Sequence, residues 1–235
     1  MKKRKHAIPL AVLYLVTVCA MMAGILWGSR AVTVLAEKLP IPRKQCFIID
    51  AGHGGEDGGA TSCTGVLESC INLEIALRLD DLMHLLGYDT RMIRSSDTSI
   101  YTKGETIAQK KVSDLKERVR IVNETEGAIL LSIHQNNFPD GRYSGAQVFY
   151  SDREESYALA QKMQAMLVSS LNPGSNRKAK KAANVYLMER ITSPGVLIEC
   201  GFLSNAREEA LLRNPEYQRK LCCVIAAAAV SYANT

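Results

Sequence analysis

The chain has 235 residues, enough for one domain with a sizeable hydrophobic core and short for two. Its composition, 47% hydrophobic and 23% charged, is that of a folded protein and excludes a largely disordered one. The net charge is +5, but four of the positive residues lie in the opening KKRK segment, so the rest is nearly neutral and gives no electrostatic reason to expect a nucleic-acid partner.

The N-terminus carries the clearest organisational signal. A basic tail at 1–6 precedes a mostly apolar stretch at 7–29, which is long enough to cross a bilayer as a helix. Basic residues before the stretch predict that the tail stays in the cytoplasm and that the rest of the chain lies outside it. We therefore predict a transmembrane signal-anchor at 7–29, a linker at 30–44 and one domain at 45–235. The alternative is a cleaved signal peptide and a secreted protein, because VLA at 34–36 fits a cleavage site.

Strand and helix patterns alternate along the domain. Short apolar runs predict buried strands, and apolar residues at helical spacing predict amphipathic helices. In chain order the predicted strands are 46–50, 88–94, 128–134, 145–151, 184–189 and 195–201, and the predicted helices are 68–87, 111–125, 154–171 and 214–233. The basic segment 176–183 is interpreted as a solvated loop. This alternation predicts an α/β domain with a mostly parallel central sheet flanked by helices.

Three predicted strands end at side chains that can perform chemistry. His53 follows the first strand in a glycine-rich loop, His134 ends the third strand, and Glu199 lies near the end of the last. Active sites of open α/β sheets lie at the carboxyl ends of the strands. Glu68, at the start of the first helix, follows the glycine-rich loop, which can fold back. Two histidines and a carboxylate are a common catalytic zinc set, which leaves Glu199 free to act as general base.

Each of these residues also has a purely structural interpretation. Either histidine could be hydrogen-bonded within the fold, and Glu68 could be a carboxylate favoured by the helix dipole. Glu199 is harder to explain in this way, because a carboxylate inside an apolar strand is costly unless it is paired or functional. The glycine-rich loop matches neither the Walker pattern nor the dinucleotide fingerprint, so phosphate binding is its weakest interpretation.

Three motifs, DAGHGGEDGGA, SIHQNN and VLIECGFLSN, together resemble those of the zinc-dependent N-acetylmuramoyl-L-alanine amidases of bacterial peptidoglycan. The resemblance runs from about residue 46 to the C-terminus. It implies that His53, Glu68 and His134 bind one zinc ion and that Glu199 is the catalytic acid/base. The segments DLKERVRIVN and YSGAQVFY are most similar to the germination-specific amidases of spore formers.

The resemblance also implies a setting for the enzyme. The substrate would be spore cortex peptidoglycan, in the pathway that makes muramic-δ-lactam. The catalytic domain would lie outside the cytoplasm, in the cell wall or the spore intermembrane space, and would be held by the anchor. Some of these relatives depend on a partner lipoprotein, which makes such a partner an expectation for this chain.

The chain departs from the usual family pattern at four positions. Ala51 replaces a common proline, and Cys200 stands where an aliphatic residue is more usual. Gln135 and Asn137 occupy positions where relatives usually have smaller or apolar residues. None of the four is a predicted zinc ligand or the predicted acid/base, so we expect an active enzyme.

Three other functions are compatible with the sequence. A zinc carboxypeptidase or endopeptidase acting on the stem peptide would use the same ligands. A membrane-tethered, non-catalytic wall-binding module would have no need of a buried base, so Glu199 argues against it. A thiol hydrolase built on Cys200 or Cys63 is the weakest alternative. The seven cysteines lack paired CxxC spacing and are interpreted as buried free thiols rather than as a disulfide framework.

Overall fold

A computed structural model describes residues 45–234. Within this range the strands are β1 (Cys46–Ala51), β2 (Asp89–Met92), β3 (Ala128–Asn136), β4 (Gln147–Tyr150), β5 (Lys180–Lys181) and β6 (Gly195–Phe202). The helices described are α1 (Glu68–Leu85), α2 (Ile107–Glu124), α3 (Glu154–Leu171), α4 (Tyr186–Arg190), α5 (Ala206–Leu212) and α6 (Pro215–Ala233). The predicted anchor and linker lie outside the described residues. No helix within the described range is long and apolar enough to span a membrane.

The strands of the described region form one sheet in the order β2-β1-β3-β6-β4-β5. All neighbouring pairs are parallel except β4 and β6, which are antiparallel. The exception follows from the connection between β3 and β4, which contains no helix and therefore provides no crossover for a parallel return. The predicted α/β domain with a mostly parallel sheet is confirmed.

Both faces of the central strands are buried, which explains their nearly continuous apolar sequences. Phe47 and Ile49 of β1 pack in a core with helices α1, α3 and α6. Ile48, between them, points to the opposite face and packs in a second cluster with α2 and α4. This alternation buries the sheet on both faces. The ends of the strands are not covered in this way, so side chains that follow the strands can form a site there.

The predicted strand at 184–189 is wrong, because this segment contains the one-turn helix α4. Its buried apolar residues Leu187 and Met188 pack on the α2 side of the sheet together with Ile191, which follows the helix. Their spacing fits a helical turn rather than the alternation of a strand. The segment interpreted as a solvated loop also differs, since its middle forms the short, exposed edge strand β5.

Candidate metal centre and active site

The structure brings the three predicted zinc ligands together. One ligand atom each from His53, Glu68 and His134 lies within 4.8 Å of the others. Nε2 of His53 is 3.3 Å from Oε2 of Glu68, and Nδ1 of His134 is 3.0 Å from Oε1 of the same carboxylate. One carboxylate therefore lies between two imidazoles, and their donor atoms converge on one small volume.

This convergence follows from the topology. Strands β1 and β3 are parallel neighbours, so the loop after β1, with His53, and the end of β3, with His134, meet at one sheet edge. The backbone of His53 is left-handed, with φ of 61°, a conformation uncommon outside glycine. The loop at 54–67 then folds back, and the Glu68 N–H donates to the Ala60 carbonyl at 2.8 Å. Glu68 thereby enters the site as the first residue of α1.

Two glycines are required because the site is crowded. A Cβ at Gly52 would lie 2.2 Å from Nε2 of His134. At Gly59, where φ is +70°, a Cβ would lie 2.7 Å from Oε2 of Glu68 and 2.7 Å from Cδ2 of His53. The glycine-rich loop therefore brings its backbone against the ligand side chains, where a larger residue would displace them.

Asp57 orients the first histidine. Nδ1 of His53 donates to Oδ2 of Asp57 at 2.9 Å, which leaves Nε2 directed toward Glu68. Lys111 lies 3.1 Å from the same Asp57 carboxylate. Burial disfavours the charged His53, but its hydrogen bonds to Glu68 and Asp57 outweigh this and raise its pKa. A carboxylate that holds the second nitrogen of a histidine is a common partner of metal-binding imidazole.

Glu68 is held as a carboxylate by several donors. The backbone N–H groups of Ala60 and Gln135 donate to it at 3.0 and 3.1 Å, and the Asn72 amide donates at 3.2 Å. Burial alone would raise its pKa, but hydrogen bonds from the two histidines outweigh burial and hold the pKa well below its usual range. The side chain is therefore ionised at neutral pH, as a metal ligand must be.

A buried arginine connects the segments that carry two of the ligands. Arg94 donates to the carbonyls of Ala51 and Gly52 at 2.8 and 3.0 Å, and also to the carbonyl of Ser69 at 2.9 Å. Gly52 precedes His53 and Ser69 follows Glu68, so one guanidinium group fixes the distance between the two backbones. No motif or spacing in the sequence marks this residue as part of the site.

A second buried arginine supports the same loop from the other face of the sheet. Arg118 forms an ion pair with Asp50 and donates to the carbonyls of Ala51 and His53 at 3.0 and 2.8 Å. Asp114 accepts from its Nε at 2.6 Å. The charge of this arginine is thus paired twice, and its remaining donors hold the turn that carries the first histidine.

Glu199 lies beside the three ligands with an unpaired oxygen. It is the β6 residue opposite His134 in the parallel β3–β6 pair. Its Oε2 is buried and has no hydrogen-bond partner in the part of the chain that the structure describes. Burial raises its pKa to about 7, with a further rise from Glu68 and an opposing effect of His134. A carboxyl group with such a pKa can both accept and donate a proton near neutrality.

The donor set fits a catalytic zinc ion. Two imidazoles and one carboxylate converge, no thiolate contributes, and a buried carboxylate with an unsatisfied oxygen lies next to them. The same surroundings do not suit a thiol hydrolase. Cys200 is buried, and burial raises its thiol pKa well above the ordinary value, which opposes formation of a nucleophilic thiolate. All six cysteines of the described residues are free, as predicted, but only Cys200 and Cys222 are buried, so the prediction of buried thiols is wrong for the other four.

Comparisons with known proteins show which family the chain resembles. The family model described as N-acetylmuramoyl-L-alanine amidase matches residues 47–231. The germination-specific N-acetylmuramoyl-L-alanine amidase of Bacillus subtilis (strain 168) is 40% identical over 189 residues, covering 80% of this chain and 78% of that protein. The CwlD amidase from Clostridioides difficile, solved in complex with the GerS lipoprotein, is 36% identical with a TM-score of 0.78, covering 81% of this chain and 98% of that one. An N-acetylmuramoyl-L-alanine amidase from Clostridium difficile 630 is 29% identical with a TM-score of 0.71, covering 81% and 97%.

Proposed function

The chain belongs to the family of N-acetylmuramoyl-L-alanine amidases, enzymes that act on peptidoglycan, and we propose that it performs this hydrolysis with one zinc ion held by His53, Glu68 and His134. The observation that carries the proposal is the convergence of three ligand atoms within 4.8 Å of one another. The bond cleaved is the amide between the lactyl group of N-acetylmuramic acid and L-alanine of the stem peptide.

In the proposed mechanism Glu199 carries the proton. A bound zinc ion supplies Lewis acidity toward the lactyl carbonyl and toward water. Glu199 accepts a proton from the water whose oxygen adds to the carbonyl carbon. It then donates that proton to the L-alanine nitrogen as the carbon–nitrogen bond breaks. Burial raises the pKa of Glu199 in the metal-free chain and thereby favours uptake of that proton. The products are a peptide-free lactyl acid and a stem peptide with a free amine.

Two features hold the proposed zinc ligands in place in the metal-free chain. Asp57 fixes the ring orientation of His53, and Arg94 fixes the spacing between the backbones next to His53 and Glu68. The chain thus presents a largely preformed set of ligands, which reduces the ordering cost of metal binding.

We also propose the spore cortex as the substrate, in the pathway that makes muramic-δ-lactam. The support is the 40% identity to an amidase that is germination-specific. Residues 7–29 are proposed to anchor the chain, with the catalytic domain, residues 45–235, outside the cytoplasm. A lipoprotein partner is proposed because the related CwlD amidase was solved in complex with one.

The test is the identity of the cleaved bond. The full chain, purified in mild detergent, is incubated with cortex peptidoglycan after chelator treatment, with and without added zinc, and the products are read by mass spectrometry. We expect zinc-dependent release of intact stem peptides that carry a free L-alanine amine, and no release by Glu199→Gln. Shortened stem peptides would instead indicate the carboxypeptidase or endopeptidase alternative. No product from a zinc-loaded chain, with the lipoprotein present, would favour the wall-binding module.

A further inference from the structure

Two aromatic rings are exposed on the loop that follows β3. Phe138 and Tyr143 are each 48% exposed, and Phe138 is the only one of the four phenylalanines of the chain with such exposure. Their ring centroids are 4.9 Å apart in an edge-to-face arrangement, and Tyr143 in turn stacks on the buried Phe202 at 6.2 Å. We call these three rings the aromatic ledge.

The loop that displays the ledge is fixed to the turn after β6. The Phe138 N–H donates to Oγ of Ser204 at 3.2 Å. The Asn205 amide donates to the carbonyls of Gly141 and Tyr143 at 2.8 and 3.3 Å. Because these bonds tie the loop to the turn at several points, the backbone of the loop holds the two rings in their exposed positions. Rings held in this way bind a ligand with little loss of side-chain entropy.

The aromatic ledge borders the catalytic centre along the strands that form it. Asn136 of β3 pairs with Phe202 of β6, just as His134 pairs with Glu199 earlier in the same two strands. These pairs are two and three residues apart, which corresponds to roughly 7–10 Å along a strand. A peptidoglycan fragment whose scissile carbonyl lies at Glu199 can therefore place its next unit over the ledge.

The chemistry of the ledge favours a neutral unit of the substrate. Arg142, on the same loop, is paired with Asp140 at 2.6 Å. The Arg177 guanidinium lies over the Phe202 ring at 5.0 Å and donates to the Ser144 carbonyl at 3.0 Å. These two arginines are therefore engaged, and the ledge itself presents aromatic rings and no charged group, which suits a neutral unit of the substrate better than the acidic stem peptide. A pyranose ring stacks its C–H face on an aromatic ring and keeps its hydroxyl groups in water.

We propose that the aromatic ledge binds a sugar ring of the glycan strand next to the muramic acid whose amide is cleaved. This inference rests on the proposed function, because it takes the catalytic centre to act on peptidoglycan. It makes Phe138 and Tyr143 residues that determine a preference for polymeric peptidoglycan over an isolated muramyl peptide.

The test measures binding without turnover. Full-length Glu199→Gln protein is titrated calorimetrically with a peptide-free glycan tetrasaccharide and, separately, with the free stem peptide. Phe138→Ala and Tyr143→Ala should each weaken glycan binding about tenfold, equivalent to about 1.4 kcal/mol, and leave stem-peptide binding unchanged. Tyr157→Ala is the matched control, because this ring is 42% exposed and contacts Tyr150 on another part of the surface. It should change neither affinity.

Other outcomes would overturn the inference. These are absence of glycan binding, glycan binding unchanged in both variants, or a loss confined to the stem peptide. Phe138→Leu, which keeps apolar bulk without a ring, should behave as Phe138→Ala and guards against an effect of misfolding. In the otherwise unmodified chain, the ledge variants should raise KM for polymeric peptidoglycan with little change in kcat. A chain that binds glycan at the ledge but cleaves nothing would contradict the proposed function alone.

Discussion

At Glu199 the proposed proton-carrying role and the stability of the folded chain make opposite demands. Burial raises its pKa from 4.5 to about 7, so the folded chain binds this proton more tightly than the unfolded chain does. The contribution of Glu199 to the stability of the metal-free protein therefore falls as pH rises from about 4.5 through 7, and it stays reduced above that range. The same unsatisfied, buried carboxylate is what a proton carrier requires.

Replacing this carboxylate should stabilise the metal-free protein in a pH-dependent way. We expect Glu199→Gln to gain little at pH 5 and progressively more up to about pH 8. The gain in unfolding free energy should reach on the order of 3 kcal/mol, since a pKa difference of one corresponds to about 1.4 kcal/mol. Thermal or urea unfolding of chelator-treated full-length chains measures this. Glu105→Gln, at an exposed position, is the control. A gain that is the same at every pH would show that ionisation of Glu199 is not its cause.

Asp57 should affect zinc binding mainly through His53, whose ring it orients. Asp57→Asn removes the charged acceptor that orients the imidazole, so we expect zinc affinity to fall roughly 10- to 100-fold while the fold is retained. Competition with a chromophoric chelator gives the affinity. Asp152→Asn is the control, because this exposed aspartate pairs with Lys181 and has no contact with the site. Equal zinc affinity for the two variants would contradict the orienting role.

The four proposed site residues could be predicted from sequence because three of them mark strand ends and one starts a helix. Asp57 offered a weaker signal, a carboxylate four positions after a predicted ligand. Arg94 offered none, since its partners are carbonyls about 25 to 43 positions away, which only the folded chain brings near. Gln135, noted as a departure from the family pattern, has a local explanation: its amide donates to Asn72 at 3.1 Å.

At the level of elements, Arg94 determines how the end of β1 and the start of α1 fit together. Lysine at this position keeps the charge, but its single ammonium group lacks the planar fork that reaches several carbonyls. We expect Arg94→Lys to weaken zinc binding about tenfold. The rise in melting temperature on adding zinc should shrink accordingly. Arg91→Lys, on exposed β2, is the control and should keep the full zinc-induced rise.

A purely structural role for Arg94 would give a different result. Arg94→Lys would then lower the melting temperature of the metal-free chain but leave the zinc-induced rise and the zinc affinity unchanged. The melting temperature of each variant is therefore measured without zinc and with zinc. Only a loss of ligand positioning changes the zinc-induced rise in melting temperature, so the two measurements separate a positioning role from a purely structural one.

Helices and strands whose apolar residues recur at regular spacing were predictable from the sequence. Short elements whose conformation depends on tertiary contacts were not. The helix predicted at 154–171 matches α3 at both ends, and the last helix begins after Asn214, which caps it as expected for such a residue. Helix α2 starts at Ile107, earlier than predicted, because Thr106 and Gln109 form a capping box. The one-turn helix α4 and the short α5 are too brief to show a period.

At the scale of the whole molecule, the sheet order explains why the site exists. Strands β1, β3 and β6 are consecutive and parallel in the sheet, so groups at their carboxyl ends meet although they are far apart in sequence. The sequence predicted this edge, because parallel α/β sheets present their sites there. It did not predict that β4 lies antiparallel beside β6. This placement depends on the lack of a crossover helix after β3 and on which outer strand of the sheet is still unpaired.

The most direct test of the account is zinc bound per chain, measured together with turnover on the same samples. The full chain is stripped with chelator, dialysed against zinc, and analysed for metal content and for amide hydrolysis. We predict one zinc per chain for the parent and for Glu199→Gln, with turnover lost only in the variant, and no tightly bound zinc for Glu68→Gln. Zinc retained by Glu68→Gln, or turnover retained by Glu199→Gln, would contradict the assignment of His53, Glu68 and His134 as ligands beside a proton-carrying Glu199.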